Sequence, residues 1–343
     1  MFLTSPVSFE GENMDGPSRE SKELSPAQVR NLLREMMRIR CAEETLADLY
    51  AEQEMRTPTH FSIGQEAVAV GVCAALESDD VVYSGHRCHA HYLAKGGSLL
   101  AMAGELYGKE IGAAKGRGGS VHLAQPSVGV IASSAILGQT IAVAVGSAFA
   151  FALDHTPHVS VSFFGDGAIE EGVFHESMNF AAVRKVPVLF VCENNLYSTH
   201  TPLHVRQPAG LAIFERVRAY GIASAHVDGN DVLAVYQEAS KAAEHCRRGD
   251  GPYFLECATY RWREHVGPLW DYDRGYRSKE EVEQWLARCP IKRLSEYCLT
   301  QSLCTEDELR SWRREFEEEV AGAVAVAKRS PFPPVESILD GTY

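Results

Sequence analysis

The sequence contains no run of about 18 apolar residues, the length at which a helix can span a bilayer, so no membrane span is expected. Its first residues show no basic stretch followed by an apolar core, which argues against a secretory signal. None of the nine cysteines (41, 73, 88, 192, 246, 257, 289, 298 and 304) forms a Cys-x-x-Cys pair. Their number is odd, and Cys192 and Cys257 sit inside apolar runs. Reduced, buried thiols in a cytoplasmic protein are therefore expected. Basic charge is in short supply: 33 Lys and Arg stand against 46 Asp and Glu, a net charge of −13. No basic domain stands out, which argues against a general nucleic-acid binder. The glycine-rich stretch 115–122, KGRGGSVH, lacks the Gly-Lys-Ser/Thr ending of a phosphate-binding P-loop. No internal repeat or low-complexity linker is present.

What is present is an ordinary globular composition, 45% hydrophobic and 23% charged over 343 residues, enough for one large or two ordinary domains. Residues 1–24 are rich in Ser, Glu, Gly, Pro and Asn without periodicity and are expected to form a disordered or loosely docked arm. Ser25-Pro26 opens a helix, Ser as N-cap and Pro at the first position, expected to run to about Glu54. Residues 25–330 are read as a single α/β domain closed by amphipathic helices at 278–288 and 291–328, and 331–343 as a proline-rich tail.

The central stretch is 159–195. An apolar, β-branched and aromatic run is stopped by Gly165-Asp166-Gly167. A helical pattern follows from about Glu171 to Arg184, and a second apolar run ends in Glu193-Asn194-Asn195. This is a strand–helix–strand unit, which closes with parallel strands and a right-handed crossover. In open α/β sheets ligands bind outside the carboxyl ends of the strands, where Asp166 and Asn195 both fall. A carboxylate and an amide oxygen there, beside glycines that let a ligand approach the backbone, suit Mg²⁺ shared with phosphate oxygens.

Gly165-Asp166-Gly167 followed by Asn194-Asn195, with a helix between, resembles the thiamine diphosphate motif. Other segments resemble the α subunits of the thiamine-dependent 2-oxo acid dehydrogenases (the first component of the pyruvate, branched-chain and acetoin complexes), in the same order. They are His60 with Gly64-Gln65-Glu66-Ala67, Arg87 with His89, KGRGGSVH, 131–146, and Thr259-Tyr260-Arg261 with His265, Tyr276 and Arg277. The resemblance covers roughly residues 24–328. It implies a thiamine diphosphate-binding α/β fold, with a mostly parallel central sheet and helices on both faces.

The resemblance also implies roles. Asp166, Asn195 and the Tyr197 carbonyl would hold Mg²⁺, and Gly165, Gly167 and Ala168 would meet the diphosphate at a helix start. Arg87 would grip that diphosphate, with His86 in the place of the family's usual Tyr. Ala135, Ile136, Leu137 and Gly138 fall where the backbone holds the aminopyrimidine ring, so Ala135 and Leu137 are cofactor contacts. His60 and His265 are the candidate catalytic histidines, His265 also touching the cofactor. Glu176 and Asn179 are read as structural or subunit-contact residues. Val266 replaces the serine that is a kinase target in mitochondrial forms. The implied activity is decarboxylation of a 2-oxo acid, or cleavage of acetoin, with the acyl group passed to a lipoyl carrier.

The carboxylate that activates the cofactor comes, in this family, from a separate β subunit, and no second α/β domain is visible here to carry it. A two-α, two-β assembly is expected, served by a lipoyl acyltransferase. A carboligase on the same scaffold is the alternative, for which the unusual His86, Arg263, Glu264 and Trp270 leave room. His86, Cys88, His89 and His91 also crowd together as a possible zinc cluster, although their spacing fits no common structural zinc pattern.

Overall fold

The computed structural model describes residues 24–55 and 57–340; the expected arm, 1–23, lies outside them. Helix α1 (Pro26–Leu49) begins as the sequence dictates, with Ser25 and Gln28 forming a reciprocal capping box ahead of Pro26. It stops before Glu54: the chain tightens into a 3₁₀ turn (Tyr50–Glu52), and Gln53 adopts a left-handed φ of 58°.

The core is a six-stranded parallel sheet in the order β2-β1-β3-β4-β8-β7. Its strands are β1 (Val81–Ser84), β2 (Val130–Ser133), β3 (Ser160–Gly165), β4 (Val188–Asn194), β7 (Ala223–Asp228) and β8 (Tyr253–Ala258). A small antiparallel pair, β5 (Tyr197–Ser198) and β6 (Thr201–Pro202), follows β4. Each central strand buries both faces, so it reads as a continuous apolar run. On one side Val161, Phe163, Leu189, Val191 and Leu255 pack under α2 (Glu66–Ala74) and α9 (Val232–Arg247). On the other, Phe164, Phe190 and Phe254 pack under α5 (Gln139–Leu153), α6 (Gly172–Arg184) and α8 (Ile213–Arg218). The fold is α/β with helices on both sheet faces, as the sequence leads one to expect.

Shorter helices α3 (His89–Ala94), α4 (Leu99–Leu106) and α7 (Leu203–Arg206) lie in the connections. At the C-terminus, α10 (Lys279–Ala287) is followed by two helices in place of the single one expected over 291–328: α11 (Pro290–Thr300) and α12 (Glu306–Arg329). The break has a local cause. Ser302 takes a left-handed φ of 54°, and Thr305 with Glu308 forms a second capping box that starts a new helix. Helix α12 returns against α1 through Arg30–Glu308 (2.8 Å) and Arg38–Glu319 (2.7 Å). Among the described residues no helix is long and apolar enough to cross a membrane.

One loop explains a misleading motif. The Glu105 carboxylate at the end of α4 accepts hydrogen bonds from the backbone N–H groups of Ala114, Gly116, Gly118 and Gly119 (2.6–2.9 Å). The glycine-rich stretch thus folds around an anion supplied by the chain itself. Residues beyond α12 lie against the same region. Arg117 donates to the Ser337 and Asp340 carbonyls, and the Lys109 ammonium sits 3.8 Å from the centroid of the Phe332 ring.

Candidate active site

Strand register sets the site. Gly165 pairs with Glu193 and Asn194 with Ala258, so Asp166 and Asn195 emerge side by side, one residue past the ends of β3 and β4. The loops after β1, β2, β3 and β4 surround a cleft of about 980 Å³, counting the space open to solvent. All of His60, His86, Arg87, Ala135, Leu137, Gly165, Asp166, Gly167, Ala168, Asn195, Tyr197 and His265 line it.

At the Asp166 end of the cleft the carboxylate is buried. Its Oδ1 accepts the Asn195 N–H (3.3 Å) and its Oδ2 pairs with the Arg206 guanidinium. Burial raises the Asp166 pKa; Arg206 and the backbone donors act against it. Asn195 Oδ1 accepts the Tyr197 N–H (3.2 Å). Arg206, on α7, also pairs with Glu170 and donates from Nε to the Thr201 carbonyl (3.1 Å). Gly167 and Ala168 belong to a 3₁₀ turn, Asp166–Glu170, and not to the start of an α-helix; α6 begins only at Gly172. Ala135, Ile136 and Leu137 are exposed at the mouth. Gly138 holds a left-handed φ of 74°, and a Cβ there would lie 2.7 Å from Val173 Cγ1, so the turn into α5 requires glycine.

At the opposite end three imidazoles meet. Ring centroids are separated by 4.5 Å (His60–His86), 5.0 Å (His60–His265) and 5.2 Å (His86–His265). Burial, then the Arg87 charge, pushes all three pKa values down, His86 to about 4 and His265 to about 2. Buried Arg87 is itself lowered to about 9, chiefly by desolvation. Its Nη1 donates to the Phe61 carbonyl (2.5 Å) and its Nη2 to the His265 carbonyl (3.2 Å), so the guanidinium fastens the two histidine-bearing loops together.

The sequence cluster at 86–91 does not hold together as a metal site. Helix α3 starts at His89, and the four side chains diverge. The Cys88 thiol, pushed by burial to about 11, donates to the Ser120 carbonyl (3.2 Å). His89 bridges Glu43 (2.6 Å) and Ser120 Oγ (2.9 Å). His91 meets Ser84 Oγ (2.8 Å), stacks on Phe163 and lies 3.3 Å from a Glu193 carboxylate oxygen. His86 and His91 both line the cleft, but His91 lies against Glu193 and only His86 faces the two histidines that come from other loops.

Residues 34–336 match the family model described as "Dehydrogenase E1 component". This chain belongs to that family. It is similar along almost its whole length to the α subunit of acetoin:2,6-dichlorophenolindophenol oxidoreductase from Bacillus subtilis (strain 168), 37% identical over 326 residues, covering 95% of this chain and 96% of that one. It is 38% identical over 306 residues to the pyruvate dehydrogenase E1 component subunit alpha of Rhizobium meliloti (strain 1021), covering 89% and 87%. It is 37% identical over 321 residues to the chloroplastic subunit alpha-3 of Oryza sativa subsp. japonica, covering 91% and 75%. The chain is an α subunit of the 2-oxo acid dehydrogenase E1 family.

The loop that delivers His265 in this E1 chain is braced from within. Asp271 accepts from Arg277 Nε (2.7 Å) and Arg261 Nη1 (3.3 Å), both guanidinium groups being buried. Glu264 accepts the Leu269 N–H (3.0 Å) and pairs with Arg274 (2.9 Å), and Arg263 sits over Trp270 at 4.4 Å. Gly267 N–H reaches the Thr59 carbonyl (2.8 Å), which brings His265 beside His60. Of the unusual residues His86, Arg263, Glu264 and Trp270, only His86 lines the cleft. Sequence reasoning missed Arg206 and Glu193. Arg206 lies in a polar loop without a motif. Glu193 directly precedes the double asparagine and was open to notice as a carboxylate at a strand end.

Proposed function

We propose that this chain is the cofactor-holding half of a thiamine diphosphate-dependent enzyme. That enzyme would decarboxylate a 2-oxo acid, or cleave an acyloin such as acetoin, and pass the acyl group to a lipoyl carrier. The observation that carries this reading is the convergence of Asp166 and Asn195, at two neighbouring strand ends, with Arg87, His60, His86 and His265 across one cleft.

The donor set fits the implied groups. Asp166 and Asn195 offer oxygens, the class that Mg²⁺ takes. The Arg206 guanidinium already places positive charge against Asp166, where the metal would sit. Arg87 and the three imidazoles offer N–H donors to a diphosphate. Bound there, the thiazolium ring would supply the electron sink for decarboxylation. The chain's own residues would orient it. Asp166, Asn195 and the Tyr197 carbonyl would hold the metal, the turn 165–168 would approach the phosphates, and Ala135 and Leu137 would flank the pyrimidine. His265 and His60, neutral in this surrounding, would accept or return a proton at the reacting centre.

Of the cleft's two carboxylates, Asp166 faces Arg206 and Glu193 faces His91. Asp166 is engaged by Arg206, which supports a β subunit as donor of the carboxylate that activates the pyrimidine. Val143 and Leu153 on α5 and Phe180 and Val183 on α6 are exposed, apolar surface of the kind a partner chain covers. The expected outcome is that the purified chain shows no decarboxylation and that its β partner restores it. Robust turnover by the chain alone refutes the reading. Carboligation is the weaker alternative, because three of its four residues lie outside the cleft. Carbon–carbon bonded product formed without lipoamide would favour it.

A further inference from the structure

We infer that His60, His86 and His265 form a transition-metal site in the cofactor-free chain, taking a zinc-class dication through three imidazole nitrogens. One nitrogen from each ring lies within 4.8 Å of the others. Among the described residues no ring nitrogen of the three is a hydrogen-bond partner of any group, and His60 Nδ1 is fully buried and unpartnered. Buried polar atoms left in this way mark a missing ligand or water. The three residues come from separate segments: the loop before α2, the loop after β1 and the braced loop 260–277.

Zinc–imidazole bonds of about 2.0–2.1 Å in a tetrahedral arrangement put ligand nitrogens about 3.4 Å apart. The trio is therefore open by at most about 1.4 Å, which rotation of the half-buried His86 and His265 side chains can close. Ligation needs neutral imidazole, and burial beside Arg87 keeps all three rings unprotonated at neutral pH. The same Arg87 opposes an added cation. Its Nη1 and Nη2 are directed to the Phe61 and His265 carbonyls, and the Asp166 and Glu193 carboxylates line the same cleft. The cleft that the three rings line leaves room for water or an anion as a fourth ligand. An all-nitrogen trio discriminates against Mg²⁺, which takes oxygen, so the two ends of the cleft would select different classes of cation. The nearest thiol in sequence, Cys88, is turned to Ser120 and takes no part.

Cobalt(II) reports directly. Titrated into the full-length, cofactor-free chain under reducing conditions, one equivalent should produce the visible bands of a four-coordinate nitrogen/oxygen site. Zn²⁺ should abolish these bands and excess Mg²⁺ should not. Three paramagnetically shifted imidazole N–H resonances are expected in the unaltered chain, a count that needs no variant. His86→Phe and His265→Asn should each weaken Co²⁺ binding by more than the roughly 10–100-fold that a supporting outer-shell partner is worth. The inference is overturned by the absence of visible bands, by a thiolate charge-transfer band, by fewer than three shifted imidazole resonances, or by binding that survives both substitutions. None of these readouts depends on thiamine diphosphate, so its failure leaves the proposed catalytic role standing, and the reverse.

Discussion

The two ends of the cleft solve the same problem in opposite ways. Around Asp166 the oxygens proposed to meet a ligand are engaged within the chain: Oδ2 by Arg206, Oδ1 by the Asn195 N–H, and Asn195 Oδ1 by the Tyr197 N–H. Around His60 the ring nitrogens have no partner among the described residues, and order comes from behind, through Arg87 and the Asp271–Arg277 brace. At the first end Arg206 offsets part of the burial that raises the Asp166 pKa, since an unpaired buried charge costs several kcal/mol. A ligand arriving there must exchange one cation for another. At the second end the desolvation has already been met in folding, and an arriving anion or metal gains contacts without breaking any.

That contrast can be broken at several points. The largest effect is expected from Asp166→Ala, which should weaken Mg²⁺-dependent thiamine diphosphate binding by more than about 100-fold in calorimetry. Retention within tenfold would remove Asp166 from the metal site. His265→Ala deletes a donor without a competing internal partner. A loss of about 10–100-fold in cofactor affinity is expected, the worth of one hydrogen bond to a charged group. Arg206→Gln should act with the opposite sign: relieved of its internal cation, the Asp166 end should bind Mg²⁺ with the diphosphate about 3–10-fold more tightly. Weaker binding would show that Arg206 assists the ligand and does not compete with it.

The smallest effect is on acid stability, and its sign separates the ends. His86 and His265 are lowered in the folded chain to about 4 and about 2, against about 6.5 when unfolded. Below about pH 6.5 the unfolded state takes up protons first. Stability is therefore full above that pH and falls as pH drops toward 4, by up to about 1.4 kcal/mol per pH unit for each histidine before solvent screening is discounted. Asp166, raised by burial, works in reverse: its contribution is present at acid pH and is lost as pH climbs out of the carboxylate range. Thermal melts of His86→Phe should show a shallower decline between pH 6.5 and 4; an unchanged slope would mean that the imidazoles are not dry.

Legibility in the sequence follows the same division. Asp166 and Asn195 were readable because β3, α6 and β4 are consecutive, so strand register alone places them together. The histidine end depends on loops at 60, 86 and 265, and periodicity carries no information on which loops meet. Only the family resemblance pointed to His60 and His265, and it left open where His86 would face. The stretch 86–91 misled for a definite reason: once α3 begins at His89, successive side chains turn by about 100°, so His89 and His91 point to nearly opposite sides. Strands β1 and β2, four residues each, are too short to leave an alternating pattern. Arg206 was passed over because a lone arginine in a polar loop looks like any solvated side chain.

The Glu105 carboxylate, wrapped by four backbone N–H groups, has a mechanical consequence. Loop 112–119 is clamped from below by Glu105 and from outside by Arg117, whose donors end on Ser337 and Asp340. Its next residue, Ser120, hands that rigidity on to His89 and, through it, to Glu43, which also holds the Ser62 N–H in the loop that carries His60. The far C-terminal segment is thus geared to the wall of the cleft through a train of short polar links. Slack introduced at residue 337 would be felt at residue 60.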